Sequence, residues 1–215
     1  MKSKKIYLIR HGQTEYNLMG IVQGSRVNTS LNDFGIRQSA AFYDHYKEVK
    51  FDRIYTSKLN RSIESVQKFI DKGINWEAHE GLNEISWGDK DGMKITVSEN
   101  KYYHEVIGRW KAGEVDLRID GGDSPLEVAE RQLEVINLLK TRTDEENVLI
   151  CMHGRAMRII LCTLTGTDLR YMDRFEHENL GLYLLEYTEN DGFKLILHNN
   201  VEHLTIADEG LRSKK

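Results

Sequence analysis

Cysteine and proline are almost absent from this chain, which has Cys151 and Cys162 as its two cysteines and Pro125 as its one proline in 215 residues. Two cysteines inside apolar runs are no framework for a small secreted domain, so buried, inert thiols and a reducing, cytoplasmic setting are expected. One proline and no low-complexity stretch or repeat leave no candidate linker. Long hydrophobic runs are missing too. The apolar stretch Ile6 to Ile9, after the basic Met1 to Lys5, is too short for the core of a signal peptide. No stretch approaches the roughly 18 apolar residues that span a bilayer. Positive charge is not in excess: the net charge is −4, with lysine clusters only at the two ends. That argues against nucleic-acid and membrane partners and leaves any anionic ligand to a few local arginines.

What is present is ordinary globular material, 40% hydrophobic and 30% charged, of a length that favours one domain over residues 1–215. Lys5 to Arg10 reads as a short buried strand and residues 11–31 as a long loop. Asn32 is a plausible N-cap for a helix with Ile36, Ala40 and Tyr43 on one face. Arg53 to Thr56 is a second strand, Leu59 to Lys72 a second helix ended by Gly73, and Ile74 to Ala78 a third strand. Residues 85–122 are irregular, with a helical pattern near Val97 to Lys111, and are expected to form a small lid-like insertion. Ser124-Pro125-Leu126-Glu127 is a capping box with proline at the first helical position, predicting a helix to about Thr141. Val148 to Met152 is another buried strand, followed by a helix from Arg155 to Thr165. Gly181 to Tyr187 and Phe193 to His198 read as a terminal strand pair. Strands separated by helices imply an α/β fold, a three-layer α/β/α sandwich around a mostly parallel sheet.

The chemistry collects at two histidines. His11 follows the first strand and His153 the late one, each with a glycine after it, Gly12 and Gly154. Ligands of open α/β sheets bind beyond the carboxyl ends of strands, so these side chains can converge there. Gly154 also opens a helix, whose free N–H groups favour an anion. The other histidines, His45, His79, His104, His177, His198 and His203, lack metal-ligand spacing and read as surface or core polar groups; no metal and no cofactor are expected. Trp76, Trp87 and Trp110 read first as packing, with Trp87, close to Glu84, the one placed to wall a pocket.

Arg10-His11-Gly12-Gln13-Thr14 resembles the R-H-G-x-S/T signature of the histidine phosphatase superfamily, the phosphoglycerate mutase-like fold. Glu15-Tyr16-Asn17 and Gln23-Gly24 fit the residues that follow it. Ser57-Lys58-Leu59-Asn60-Arg61-Ser62 is similar to the family's S-x-L-x-R-A/S segment, Leu82-Asn83-Glu84-Ile85 to its L-x-E stretch, and Gly121-Gly122-Asp123-Ser124 to its G-G-E-S. Cys151-Met152-His153-Gly154 matches its second histidine. Six blocks in family order are specific where a lone R-H-G is not.

The resemblance implies a phosphohistidine on His11, with Arg10 and Arg61 clamping phosphate oxygens. It further implies hydrogen bonds to the phosphoryl group from His153, the Gly154 amide and Asn17, a nearby turn at Gln23 and Gly24, and Glu84 as general acid and base. These residue types suit the reaction. Phosphoryl transfer needs positive donors around three equatorial oxygens, planar guanidinium forks supply them, and a neutral imidazole nitrogen is a good nucleophile.

Two activities share this chemistry. Glycolytic mutases follow their acid with a stretch resembling E-R-H-Y-G-x-L-x-G and carry adjacent arginines in a longer insertion. Here Ile85-Ser86-Trp87-Gly88-Asp89-Lys90-Asp91-Gly92 follows Glu84, closer to the phosphatase pattern E-x-x-x-G-x-W-E-G, and Arg109 and Arg118 stand apart. The sequence departs even from that pattern at Lys90-Asp91 and at Asn28, which replaces a frequent aspartate. A phosphatase acting on a small phosphorylated metabolite is therefore the expectation, with phosphoglycerate mutase as alternative and a non-catalytic phospho-ligand binder behind it. A homodimer is the one protein partner considered.

Overall fold

Side chains that alternate between two hydrophobic cores account for most of the architecture. In strand β1 (Lys4–Arg10), Ile6 and Leu8 enter one cluster while Tyr7 and Ile9 enter the other. Strand β4 (Asn147–Met152) repeats this, with Val148, Ile150 and Met152 on the first side and Leu149 and Cys151 on the second. Such strands need cover on both faces. A fully buried aliphatic side chain contributes about 1.5–3 kcal/mol, so both faces are strongly held.

The computed structural model describes residues 3–94 and 96–204; the lysine cluster at the C-terminus lies outside the described residues. The remaining strands are β2 (Arg53–Thr56), β3 (Trp76–Ala78), β5 (Leu182–Thr188) and β6 (Gly192–Asn200). They form one six-stranded sheet in the order β3-β2-β4-β1-β5-β6. Pairing is parallel from β3 to β1 and antiparallel from β1 through β5 to β6. Helices α5 (Val97–Ala112), α6 (Pro125–Thr141) and α7 (Gly154–Thr165) contribute Trp110, Val135 and Ile160 to the first core. On the second, α2 (Asp33–Tyr46) contributes Phe42, and α4 (Gln67–Asp71) contributes Phe69. This is the three-layer α/β/α sandwich with a mostly parallel sheet that the sequence implies.

Local signals held where capping was explicit. Ser124 accepts from the Glu127 amide and Glu127 reaches back, and the helix runs to Thr141. Asn32 caps α2 through the Gly35 amide, yet the buried face is Gly35, Gln38, Ser39 and Phe42, while Ile36 is 56% exposed. Of the expected face, Ile36 points to solvent, whereas Tyr43 is partly buried against the second core, 5.0 Å from the Phe69 ring, and the helix is rotated so that Phe42 with small and polar residues carries the packing. The loop expected at 11–31 contains a short helix, α1 (Glu15–Met19), nucleated by a capping box between Thr14 and Asn17. The helix expected from Leu59 to Lys72 is two, α3 (Asn60–Glu64) and α4. Ser65 donates to the Arg61 carbonyl at 2.6 Å and accepts from the Gly12 amide at 2.9 Å, a back-bond that bends helices. Within 85–122, α5 packs Val106, Ile107 and Trp110 into the first core.

Candidate active site

Strands β2, β4 and β1 are parallel neighbours, so their carboxyl ends deliver three segments to one edge of the sheet. Arg10 is in register with Met152, which makes His11 and His153 the next pair along. Their rings stand 5.2 Å apart. The pocket over this edge is lined by Arg10, His11, Asn17, Gln23, Glu84 and Gly154, with Ile21, Val22, Trp87, Tyr103, Arg155 and His177 completing its walls. Arg61, His153 and Gly24 are buried and are not part of this lining.

His11 is buried, and its Nδ1 is 2.7 Å from the Gly12 carbonyl. A carbonyl only accepts, so Nδ1 carries the proton and Nε2 keeps a lone pair in the neutral ring. Burial, with the charges of Arg61 and Arg10 added, holds the His11 pKa well below its usual value. A neutral imidazole with a fixed tautomer is thus the resting form.

The donors around it are arranged by their neighbours. Arg10 gives one N–H to the His177 carbonyl at 2.8 Å and to the His177 Nδ1 at 3.3 Å, while its buried Nε has no partner. Gln23 accepts from the Thr14 and Thr29 hydroxyls at 2.9 and 2.7 Å, which fixes the amide and leaves its buried Nε2 without a partner. The Asn17 carboxamide oxygen closes the α1 capping box by accepting from the Thr14 amide at 3.1 Å. Its Nδ2 remains the donor this side chain can offer.

Arg61 and His153 are bonded to groups of the protein. Arg61 is fully buried and gives N–H bonds to the Val27 carbonyl at 2.6 Å, the Gly24 carbonyl at 3.4 Å and His153 Nδ1 at 3.2 Å. Two of the five N–H donors of a guanidinium remain. Burial lowers its pKa to about 10. Because Arg61 donates to Nδ1, the proton of neutral His153 sits on Nε2 and is donated to Ser57 Oγ at 2.7 Å. Burial, then Arg61, keeps the His153 pKa well below its usual value. Gly24 gives its amide to Asp91 at 2.7 Å, and a Cβ there would sit 2.1 Å from that carboxylate. Its role in this geometry is to hold Arg61 and Asp91 rather than to face the pocket.

Glu84 occupies the anion position expected at the start of α7. One carboxylate oxygen accepts from the Ile85 and Ala156 amides at 2.9 and 2.8 Å, the other from the Arg155 amide at 3.1 Å. A carboxylate has about four acceptor sites, so one remains, on Oε2.

Sequence reasoning missed His177, which lines the pocket and lies over Gly154, where a Cβ would meet its ring at 3.3 Å. Burial, followed by the charges of Arg10 and Arg158, pulls its pKa to about 3. No local pattern marks it; it arrives on the chain entering β5. Asn179 was missed as well, although its amide supports the His11 carbonyl at 2.8 Å. Trp87 both packs against Trp110 and walls the pocket. The two thiols are free and buried, as expected, and burial pushes Cys162 up to about 12. Among the described residues, no three or more His, Cys, Asp or Glu side chains are grouped to hold a metal ion, and no helix is long and apolar enough to cross a membrane.

These histidines set an acid limit on stability. In the unfolded chain they protonate near pH 6.5, whereas the folded environment keeps His11, His153 and His177 neutral far below that. Between those values the unfolded state binds more protons, so stability is full above about pH 6.5 and falls as pH drops. Each such histidine costs about 1.4 kcal/mol per pH unit. Thermal melts between pH 7 and 5, a window in which ordinary carboxylates titrate little, should show a steadily falling Tm. A flat Tm over that window would refute the assignment.

Residues 6–201 match the histidine phosphatase superfamily (branch 1), and the chain belongs to that family. Its members among the relatives are phosphatases and mutases. It is 28% identical over 201 residues to "Putative phosphoserine phosphatase 2" of Hydrogenobacter thermophilus, covering 93% of this chain and 97% of that one. It is 30% identical over 174 residues to a 2,3-bisphosphoglycerate-dependent phosphoglycerate mutase of Brucella ovis, covering 76% of this chain and 82% of the mutase. Among solved structures, Bacillus stearothermophilus YhfR superposes with a TM-score of 0.80 at 23% identity, over 94% of this chain and 99% of the other, which bears on the fold alone.

Proposed function

We propose that this chain is a metal-independent phosphomonoester hydrolase acting on a small phosphorylated metabolite through a phosphohistidine on His11. The observation that carries the reading is the pair of buried, unpartnered donors, Arg10 Nε and Gln23 Nε2, in the same pocket as the His11 side chain. Leaving buried donors unmatched costs about 1–3 kcal/mol each, and the oxygens of a phosphoryl group would satisfy both. In the first step the His11 Nε2 lone pair bonds to phosphorus as the ester P–O bond breaks, and Glu84 gives the departing alkoxide a proton. In the second, water attacks the phosphohistidine, the P–N bond breaks, and Glu84 takes the water's proton. Arg10, Gln23 and Asn17 would hold the transferring oxygens, and Arg61 would add positive charge from directly behind the histidines.

The mutase alternative draws support from the Brucella relative. Against it, the two arginines of the 85–122 segment that the sequence offers for a substrate carboxylate are committed elsewhere. Arg109 pairs with Glu114 and Arg118 with Glu127, both at the surface, and neither lines the pocket. A mutase must also shield its phosphoenzyme from water long enough to return the phosphoryl group. Supplied with 3-phosphoglycerate and a catalytic amount of 2,3-bisphosphoglycerate, the protein should form little 2-phosphoglycerate. A panel of sugar phosphates, phosphoserine and nucleotides should yield inorganic phosphate, undiminished by chelator. Isomerisation well above phosphate release would make the protein a mutase instead, and tight binding of phosphoesters without turnover would make it a binding module.

A further inference from the structure

Beside the phosphate end of the pocket lies a second, narrow apolar crevice, partly open to solvent. Val22, Trp87 and Tyr103 line both spaces, so the two adjoin. Met93, Tyr102 and Ile119 form the rest of the apolar wall. Lys90 and Lys94 complete the lining, and the aliphatic stem of a lysine is compatible with an apolar wall.

The wall is built rather than incidental. The Arg155 guanidinium lies 5.9 Å from the Trp87 ring and 5.7 Å from the Trp110 ring, and is fixed by Asp173 at 2.5 Å and by the Tyr103 hydroxyl at 3.2 Å. Trp87 stands 5.3 Å from Tyr103 and 6.1 Å from Trp110. The Val22 amide donates to the Met93 carbonyl at 3.0 Å and the Gly92 amide to the Val22 carbonyl at 2.9 Å, which ties the Val22 and Met93 parts of the lining together. Rings held this way keep a slot open without waiting for the ligand to order them.

Resting on the reading of this site as a phosphomonoesterase, we infer that the crevice receives the alcohol part of the substrate, and that preferred substrates carry an apolar group on the ester oxygen. Phosphate would bind at Arg10 and His11 while the organic group lies against Trp87, Tyr103 and Ile119. Burying a methylene is worth about 0.8 kcal/mol, or roughly fourfold per carbon, so chain length should be read directly in kcat/KM.

The test is a ladder of primary alkyl phosphates from ethyl to hexyl, whose leaving groups are nearly equal in acidity, with phosphoserine as the small polar counterpart. Full burial of four further methylenes would give about 250-fold. In a partly open crevice hexyl phosphate should exceed ethyl phosphate in kcat/KM by about 10- to 100-fold, mostly through KM, while phosphoserine should fall with the short esters. Met93→Lys, at a half-exposed position, and Ile119→Ala should each shrink the hexyl-to-ethyl ratio severalfold. A flat ladder with every ester hydrolysed would overturn the crevice assignment and leave the phosphatase reading intact. Failure to hydrolyse any member would overturn both.

Discussion

Replacing His11 with alanine should remove turnover of every phosphomonoester, a loss of about 10⁴-fold or more. The same variant should fail to take up phosphate when the enzyme is exposed briefly to substrate and denatured at alkaline pH. In the wild type that label should survive base and be lost in acid, as a phosphoramidate is. The expectation rests on the geometry of one ring. The bond from Nδ1 to the Gly12 carbonyl leaves Nε2 as the nitrogen with a lone pair, and burial beside Arg61 and Arg10 keeps the ring neutral. A variant that retains more than a small percentage of wild-type rate, or that still labels, would show that another group carries the phosphoryl.

Glu84→Gln should slow alkyl phosphates by about 10²–10⁴-fold and an aryl phosphate with an acidic phenol far less, since a good leaving group departs with little need of a proton. The structure adds a competing effect that the experiment must separate. Both carboxylate oxygens accept from backbone amides, of Ile85 and Ala156 on one side and Arg155 on the other. A glutamine would turn an NH₂ toward one of these donors and cost about 1–3 kcal/mol. Loosening the start of α7 should depress both substrates alike, and only loss of the proton should split them. Equal losses would therefore assign Glu84 to holding α7 in place. The alkyl phosphates used here should be short ones, so that binding in the crevice behind Trp87 does not enter the comparison.

Much of this protein is legible along the chain because the physics involved is local. Continuous apolar runs mark β1 and β4 as strands buried on both faces, and Ser124 with Glu127 states the start of α6 outright. The ordered blocks around His11, Arg61, Glu84 and His153 carry the resemblance to its family in the sequence itself. The residue types are those that suit a phosphate ligand, since guanidinium forks match phosphate oxygens and ligands of open α/β sheets bind beyond strand ends.

Tertiary structure decided which of those groups face the pocket. Nothing in the local sequence tells that Arg61 turns to Val27, Gly24 and His153, since those partners lie 34, 37 and 92 positions away. His177 is brought to Arg10 across 167 positions, with no periodic or capping signal around it. The break between α3 and α4 is partly local, since the Ser65 hydroxyl bonds back to the Arg61 carbonyl four residues earlier, while the Gly12 amide that donates to the same hydroxyl comes from another strand end. Local propensity and pattern specify elements and the residues able to do chemistry. The aim of each side chain depends on which distant donors and acceptors the packed sheet places within about 3 Å, where a buried polar group must find a partner or remain costly.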